Sequence, residues 1–273
     1  MSKKKKKVVP LPDLPEGVTA IDTHCHLDMK PYRHDLDHVL GQAGKHGVSR
    51  VITVGIDETS SRAAIALSER YDGVYATVGV HPHNVEDATD STYETLREMS
   101  AHPKVIAYGE VGMDRVKKYA PVELQKEHYI RQVRLAKELN LPLIIHDREA
   151  HDDIMEVLTA EAPFPVGGVM HCFSGDLALA ERVVELGLYV SIPGVVTFHN
   201  AKSLQEVAAK APLSSLLLET DGPFLAPEPK RGKRNEPLYV LYTAMKVAQL
   251  RGVAVETVLE QTTANARRLF RLA

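Results

Sequence analysis

The feature of this sequence that most constrains its fold is a regular alternation of two kinds of segment from residue 18 onward. Short runs rich in Val, Ile, Leu and Tyr are typical of buried strands, and they alternate with amphipathic stretches of about 10 to 18 residues that are typical of helices. The predicted strands are 20–27, 50–56, 74–80, 104–112, 142–148, 166–174, 189–195 and 215–221. Strands that alternate with helices indicate a parallel sheet covered by those helices.

The helical segments complete eight strand–helix units. The clearest is 121–140, where Tyr129, Val133 and Ala136 fall near helical spacing and Pro142 follows the end. Others begin near residues 35, 58, 92, 149, 177 and 201, and two more cover 238–251 and 255–272. Residues 20–273 make 254 positions, close to the roughly 250 of a (β/α)8 barrel. We therefore predict an α/β fold, a single-domain TIM barrel over 18–273 with extra C-terminal helices, after a flexible basic tail over 1–17.

A doubly wound open sheet is the alternative fold. It normally requires a glycine-rich phosphate loop after its first strand, and the sequence contains neither GxGxxG nor a Walker motif. The composition, 44% hydrophobic and 25% charged, is typical of a globular chain and excludes disordered and collagen-like proteins. The sequence has neither an apolar run of about 18 residues nor a signal-peptide core, and Cys25 and Cys172 are predicted to be thiols, so we expect a cytoplasmic protein.

The net charge of −3 conceals an uneven distribution. Lys3, Lys4, Lys5, Lys6 and Lys7 lie in one short stretch, and without them 28 basic residues face 36 acidic ones, a formal charge of −8. A chain with this negative charge outside the lysine stretch is not expected to bind polyanions in general. Any nucleic acid must be bound through a local basic feature or a cation, and the lysine stretch is either that feature or a solubilising tail.

Two histidines near the end of the first predicted strand suggest a metal site. Alternate side chains on a strand share a face, so His24 and His26 point into the barrel while Cys25 points to the helices. Two imidazoles placed in this way can chelate one cation. An isolated HxH is equally compatible with two hydrogen-bonded histidines, so the other strands must decide.

Four other predicted strands also end in titratable residues, namely Glu110, His146, His171 and Asp221. The carboxyl ends of barrel strands form the face that carries active sites. Burying six such groups at one opening is costly unless something pairs them, and divalent cations would do so. Nitrogen and oxygen ligands suit zinc, manganese, nickel or magnesium.

The six residues predict a two-metal hydrolase. In this hypothesis His24 and His26 bind one ion, His146 and His171 bind the other, and Glu110 bridges both. Asp221 holds a metal and accepts a proton from the attacking water.

The motifs together resemble those of the TatD family of metal-dependent deoxyribonucleases, within the amidohydrolase-like barrels. They are HxH at 24–26, GVHPH at 79–83, GEVGMD at 109–114, HDREA at 146–150, HCFSG at 171–175, ETDGPFLAP at 219–227, RNEP at 234–237 and TTANARRLF at 262–270. The resemblance covers essentially residues 20–273. It implies a TIM barrel, divalent metals held by the same six residues, and hydrolysis of DNA, commonly as a 3′ to 5′ exonuclease with Asp221 as the base.

Two residues depart from the family pattern. Gly222 stands where the family usually has serine or alanine, and Asp147 stands where it usually has serine. We expect Gly222 to remove a side chain beside the base. Asp147 adds a carboxylate that could disfavour a polyanionic substrate.

A second group of residues predicts substrate contacts around the metal site. The candidates for binding substrate or phosphate are His81, His83, Arg148, Lys230, Arg231, Lys233 and Arg234. Asn235 and Pro237 are candidates for fixing the exit of the basic loop. Aromatic residues make up only 5% of the chain, so we expect no extended stacking platform and a grip on DNA ends, single-stranded or 3′, instead.

Two other functions remain open from the sequence. One is an amidohydrolase-type enzyme that cleaves a small ester, lactone or amide with the same metals. The other is a non-catalytic protein that keeps its metal site for stability. The sequence predicts no membrane contact and no obligate protein partner.

Overall fold

A computed structural model of the protein describes residues 9–117 and 119–272. The strands in this part of the chain are β1 (Ala20–Cys25), β2 (Val48–Thr53), β3 (Val74–Val78), β4 (Val105–Asp114), β5 (Leu143–Arg148), β6 (Gly168–Met170), β7 (Tyr189–Ile192) and β8 (Leu216–Leu218). The α-helices there are α1 (Leu36–Lys45), α2 (Glu58–Arg70), α3 (Asp90–Met99), α4 (Val122–Glu138), α5 (His151–Glu161), α6 (Leu177–Glu185), α7 (Lys202–Lys210), α8 (Val240–Arg251) and α9 (Val255–Phe270).

The strands form one parallel sheet in the order β1 to β8, so each strand pairs with its neighbour in sequence. The last strand returns to the first through a parallel bridge between Cys25 and Gly222. This sequential order confirms the predicted barrel and excludes the doubly wound sheet, whose strand order reverses at a switch point. The extra C-terminal helices, α8 and α9, are also confirmed.

The barrel interior is filled by apolar side chains from several strands, including Ile21, Ile52, Ile144 and Leu217. Leu269 and Phe270 of α9 pack against this inner cluster and cover its lower end. A larger cluster lies between the sheet and the surrounding helices. Apolar packing therefore occupies the interior and its lower end. The polar side chains of the predicted site lie instead at the carboxyl ends of the strands, the face that carries active sites in barrels of this kind.

Local sequence explains where several helices begin and end. At α2 the Asp57 side chain accepts a bond from the Ser60 amide, and the Ser60 hydroxyl binds the Asp57 amide in return. At α6, Asp176 caps the helix by accepting from the Leu179 amide. Helix α8 ends at Gly252, whose φ of 68° suits a residue without a side chain.

All strands but β4 are shorter than predicted, and β6 and β8 are shortened most, because the chain leaves the extended conformation early. The predicted strand 166–174 is observed only as Gly168–Met170, and 215–221 only as Leu216–Leu218. Cys172 and Asp221 have φ values of 44° and 56°, in the left-handed region. Predicted ligands on these two elements therefore sit on turns just beyond the paired strands.

The segment before β1 lies against the barrel where it is described. Leu11 and Leu14 pack on the main core, and the Tyr242 hydroxyl donates to the Val9 carbonyl at 3.1 Å. The lysine stretch 3–7 lies outside the described residues, so its predicted role stays a prediction. Both cysteines are free thiols. None of the described helices is long and apolar enough to cross a membrane.

Candidate metal centre

Three predicted ligands meet where the first and last strands of the barrel adjoin. We call them the first half-site: His24, His26 and Asp221. The Nε2 atoms of His24 and His26 lie 3.3 Å apart. Asp221 Oδ1 lies 3.9 Å from the first nitrogen and 3.6 Å from the second. Glu110 Oε2 adds a fourth donor, 3.4 Å from His24 Nε2 and 3.8 Å from His26 Nε2.

The remaining predicted ligands, His146 and His171, form the second half-site around the other oxygen of Glu110. Glu110 Oε1 lies 2.6 Å from His146 Nδ1 and 2.7 Å from His171 Nε2. The two imidazole nitrogens are 3.3 Å apart. His81 approaches the same oxygen, with its Nε2 at 3.4 Å. The structure thus brings all six predicted ligands together, with one Glu110 oxygen facing each half-site.

The spacing of the donor atoms fits divalent cations. An ion with nitrogen and oxygen bonds of about 2.0 to 2.1 Å places tetrahedral ligands about 3.4 Å apart, which matches the first half-site. His24, His26 and Asp221 are one of the residue groups whose donor atoms lie within 4.8 Å of one another, and His81, Glu110 and His146 are another. The donor set contains only imidazole nitrogens and carboxylate oxygens, which suit zinc, manganese or magnesium.

The two carboxylates of the cluster are held in their charged form. Burial alone would raise the pKa of Glu110, but the charges of His171 and His81 and the bonds from neighbouring imidazoles keep this pKa well below its usual range. Burial would likewise raise the pKa of Asp221, but its bond with His26 and nearby imidazole charges lower this pKa. Both side chains are therefore anionic acceptors of cations or protons.

Two imidazoles of the cluster are biased toward their neutral form, which is the form that binds metals. Burial and the charge of His171 lower the pKa of His24. Burial lowers the pKa of His81 to about 4. The other three imidazoles differ, because burial lowers their pKa less than neighbouring carboxylates raise it. Asp221 and Glu110 raise the pKa of His26, Asp114 and Glu110 raise that of His146, and Glu110 holds that of His171 well above its usual value.

A second layer of carboxylates, which the sequence reasoning missed, contacts the histidines of the second half-site. Asp114 Oδ2 lies 2.7 Å from His83 Nε2 and 3.6 Å from His146 Nε2, while its Oδ1 accepts bonds from the amides of residues 116 and 117. Glu219 Oε1 accepts from the Cys172 amide at 2.6 Å and lies 3.7 Å from His171 Nδ1. Partners of this kind fix the orientation of metal-binding imidazoles.

The first half-site is held mainly by the backbone where β8 meets β1. The Asp221 amide donates to the His24 carbonyl at 2.9 Å, and the His26 amide donates to the Gly222 carbonyl at 2.7 Å. Below them, Asp22 accepts bonds from the amide and the hydroxyl of Thr220, at 2.8 and 2.6 Å. Burial raises the pKa of Asp22 to about 8. These bonds tie Asp221 directly to the strand that carries the two histidines.

Asn235 braces the turn that carries Asp221. It is fully buried, and its side-chain amide donates to the carbonyls of Thr220 and Phe224, both at 2.7 Å. The Tyr32 hydroxyl donates to the Asn235 carbonyl at 2.6 Å. A Cβ at Gly222 would overlap the Tyr32 hydroxyl oxygen, so this glycine makes room for the tyrosine. The interpretation of Asn235 as a loop-fixing residue agrees with this geometry. Pro237, the other candidate, begins a buried 3-10 turn, Pro237–Tyr239.

The predicted phosphate-binding cations lie at the rim but differ in how free they are. Arg148 and Lys233 are exposed. Lys230 and Arg231 lie over the rings of Tyr239 and Phe198, at 5.2 and 4.2 Å from the ring centres.

Arg234 is not available to bind a phosphate, because its guanidinium is already paired with carboxylates. Its guanidinium forms two bonds of 2.7 Å to the two carboxylate oxygens of Asp35, and it also binds Glu236 Oε1 and the Pro31 carbonyl. These ion pairs raise its pKa. The loop cluster therefore offers three lysine or arginine side chains to a substrate rather than four.

Asp147 does not face the opening. It neighbours His146 on β5, so the alternation of the strand turns its side chain to the helices. There its Oδ1 accepts from the Ala150 amide at 3.2 Å, and its Oδ2 lies 2.7 Å from His151 Nδ1. The expectation that this carboxylate repels a polyanion near the metal site is not supported by this placement.

Comparison with known proteins places these features in a family. The family described as TatD related DNase matches residues 21–271. An uncharacterized metal-dependent hydrolase, YabD of Bacillus subtilis, is 44% identical over 92% of this chain and 98% of its own. A protein of Erwinia tasmaniensis named 3′-5′ ssDNA/RNA exonuclease TatD is 34% identical over 92% of this chain and 99% of its own.

A solved structure of a family member has the same fold as this chain. The crystal structure of YJJV, a TatD homolog from Escherichia coli K12, is 34% identical to this chain and superimposes with a TM-score of 0.89. The alignment covers 93% of this chain and 98% of the other. A match of this quality extends over the whole barrel, so the similarity is not confined to a few motifs.

Proposed function

The chain belongs to the TatD-related DNase family of metal-dependent hydrolases, and from this premise we propose that it removes nucleotides from the 3′ ends of single-stranded DNA. The observation that carries the proposal is the position of Glu110, whose two carboxylate oxygens each face a set of imidazoles. Two cations bound on either side of one carboxylate suit the displacement of a phosphodiester. The relative named as a 3′-5′ exonuclease supports the direction of digestion.

In this proposal the cluster holds two divalent ions. His24, His26 and Asp221 would hold one ion and His146 and His171 would hold the other, with Glu110 offering one oxygen to each set. When bound, the ions lower the pKa of a water molecule and polarise a phosphate oxygen. The identity of the ions is left open by this ligand set, since zinc, magnesium, manganese and nickel all accept nitrogen and oxygen donors.

Asp221 is the proposed base. Its carboxylate is ionised, because its bond with His26 and the nearby imidazoles lower its pKa, and it lies on a turn at the open end of the barrel. The hydrogen bond from its backbone amide to the His24 carbonyl, and the bond from the Asn235 side chain to the Thr220 carbonyl, hold the turn that carries this side chain in place. It can therefore accept a proton from the attacking water without reorienting.

Rim cations are proposed to hold the DNA backbone. Arg148, Arg231 and Lys233 are exposed near the opening, and each can neutralise a phosphate. His81 and His83 lie at the same rim and are proposed substrate contacts. We also propose that the enzyme acts in the cytoplasm, since its two cysteines are free thiols.

An end-labelled oligonucleotide tests the proposal. We expect the full-length protein with magnesium or manganese to shorten a 5′-labelled single strand stepwise from its 3′ end, and chelator to stop the reaction. The variant Asp221→Asn should lose about 10²- to 10⁴-fold in kcat, as expected when a general base is removed. Asp147→Asn is the matched control, because this buried carboxylate faces the helices, and it should keep its activity.

The outcomes separate this proposal from its alternatives. Retention of most activity by Asp221→Asn would remove Asp221 from its role as base. Hydrolysis of a lactone, ester or amide from a parallel substrate panel, with no cleavage of DNA, would favour the small-molecule hydrolase. Absence of all turnover, with a large fall in Tm on chelation, would favour a metal-stabilised binding protein.

A further inference from the structure

Exposed apolar side chains concentrate at the mouth of the barrel. Among the described residues the large exposed hydrophobic side chains are Val9, Val116, Tyr119, Phe224, Leu225 and Val253. Four of these six lie in just two loops, the one after β4 and the one after β8. Both aromatic members of the group lie beside a histidine, Phe224 beside His26 of the first half-site and Tyr119 beside His83 at the rim. Exposed apolar patches bordered by polar residues mark binding surfaces, so the grouping of these side chains in two loops makes the mouth a candidate contact surface.

Phe224 is fixed relative to the first half-site. Its ring is 47% exposed and lies 6.0 Å from the ring of His26, at 69° to it. Its amide donates to the Asp221 carbonyl at 2.9 Å, and its carbonyl accepts from Asn235. These bonds hold the backbone of Phe224 beside the turn that carries the proposed base.

Tyr119 lies on the side of the second half-site, as Phe224 lies on the side of the first. Its ring is 59% exposed and lies 4.8 Å from the ring of His83, at 64° to it. His83 is in turn held by Asp114, which also faces His146 of the second half-site. This tyrosine is thus connected to the second half-site through two side chains.

The strand order places these two rings on opposite sides of the opening. In a ring of eight strands, β8 and β4 are four positions apart, so the loops that follow them face each other across the barrel. The metal centre lies between them. The low aromatic content of the chain argues against a long stacking surface, but two rings are sufficient for one or two bases.

We propose that Phe224 and Tyr119 stack on the bases at the 3′ end of a single strand and so position the terminal phosphodiester over the metal centre. This inference rests on the proposed function. Stacking suits such an enzyme because every base offers a flat face, so digestion can continue without sequence preference. The exposed cations Arg148, Arg231 and Lys233 lie at the same rim and match the phosphates of that strand.

Removing the bases from the substrate tests this proposal. We would compare an ordinary 5′-labelled oligonucleotide with one whose last two residues are base-free tetrahydrofuran units. For the ordinary strand, Phe224→Leu and Tyr119→Leu should each lower kcat/KM by about 5- to 150-fold, the factor that corresponds to about 1 to 3 kcal/mol of stacking per base. For the base-free strand the same variants should change kcat/KM by less than about twofold.

Two control variants accompany the experiment. Leu225→Ala removes an equally exposed aliphatic side chain from the same loop as Phe224 and should leave kcat/KM unchanged. Tyr119→Phe keeps the ring and should behave like the wild-type enzyme. Equal losses on both substrates would overturn the proposal, because the rings would then only shape their loops.

A binding measurement separates failure of this proposal from failure of the proposed function. Fluorescence anisotropy of both oligonucleotides, in the Asp221→Asn background with magnesium, needs no turnover. If the wild-type enzyme cleaves no DNA but Phe224→Leu still weakens binding of the ordinary strand alone, the stacking inference stands and the nuclease fails. If cleavage occurs and neither affinity nor kcat/KM depends on the bases, the nuclease stands and the stacking inference is wrong.

Discussion

The first and second half-sites share Glu110, yet they keep their donor atoms at different distances. In the first, contacts between the nitrogens and oxygens of His24, His26, Asp221 and Glu110 range from 3.3 to 3.9 Å. In the second, Glu110 Oε1 is bonded directly to His146 and His171 at 2.6 and 2.7 Å. The donor atoms of the first half-site are therefore more widely spaced around Glu110 than those of the second.

The supports of the two half-sites differ in the same way. Backbone bonds across the junction of β8 and β1 hold the first, and carboxylates of a second layer hold the second. A preorganised site loses less free energy on binding, because its ligands need not move. In the proposed two-ion arrangement we therefore expect the first half-site to bind its cation more tightly than the second.

The largest expected effect comes from deleting one histidine in each half-site. His24→Ala should lower affinity for the first ion by at least about 100-fold, since losing a ligand costs more than losing a partner of that ligand. His146→Ala should keep one tightly bound ion. Metal analysis after stepwise dialysis against chelator measures both. Preferential survival of the ion in His24→Ala would reverse the assigned order of affinities.

A smaller effect is expected from the carboxylate behind the second half-site. Asp114→Asn removes the charge that faces His83 and His146, and this should weaken the second ion by about 10- to 100-fold while the first is unaffected. Titration of the apoprotein with manganese, followed by calorimetry, resolves the two steps. Asp147→Asn serves as the control on a neighbouring strand. Equal weakening of both ions would show that the half-sites do not act separately.

The smallest effect is expected from a substitution at Gly222, which alters the packing beside the first half-site and removes no ligand. Gly222→Ala places a methyl group against the Tyr32 hydroxyl and 3.0 Å from Cys25 Sγ, so the free energy of unfolding should fall by about 1 to 3 kcal/mol. Tyr32→Phe removes the obstructing oxygen and also the bond to the Asn235 carbonyl, so Gly222→Ala should cost less in that variant than in the wild-type chain. Denaturant unfolding of the single and double variants gives the coupling, and strictly additive changes would contradict the assigned contact.

The sequence was sufficient for the barrel and for the set of residues at its mouth, because both follow from short-range regularities. Alternating segments predict the strands and helices, and residues at strand ends share one face of the barrel. The same regularity contained a signal for Asp114, which lies four residues after Glu110 on β4 and therefore on the same side. It also predicts that Asp147 points away from His146.

Other features depend on contacts between distant parts of the chain and could not be predicted. The basic loop gave no sign that Arg234 is paired with Asp35, 199 residues away. The early ends of β6 and β8 coincide with turns at Cys172 and Asp221, and Glu219 binds the Cys172 amide across 47 residues. Such pairings depend on the folded geometry, which a local pattern does not encode.

The junction of β8 and β1 unites parts of the protein made at different times. Asp22 and Thr220 are bonded there although 198 positions separate them. During synthesis Asp221 emerges well after the two histidines of β1, because it lies far behind them in the chain. A chain interrupted before β8 has neither the closing strand nor the carboxylate that completes the first half-site. The order of translation thus delays assembly of the first half-site until β8 and the turn after it have left the ribosome.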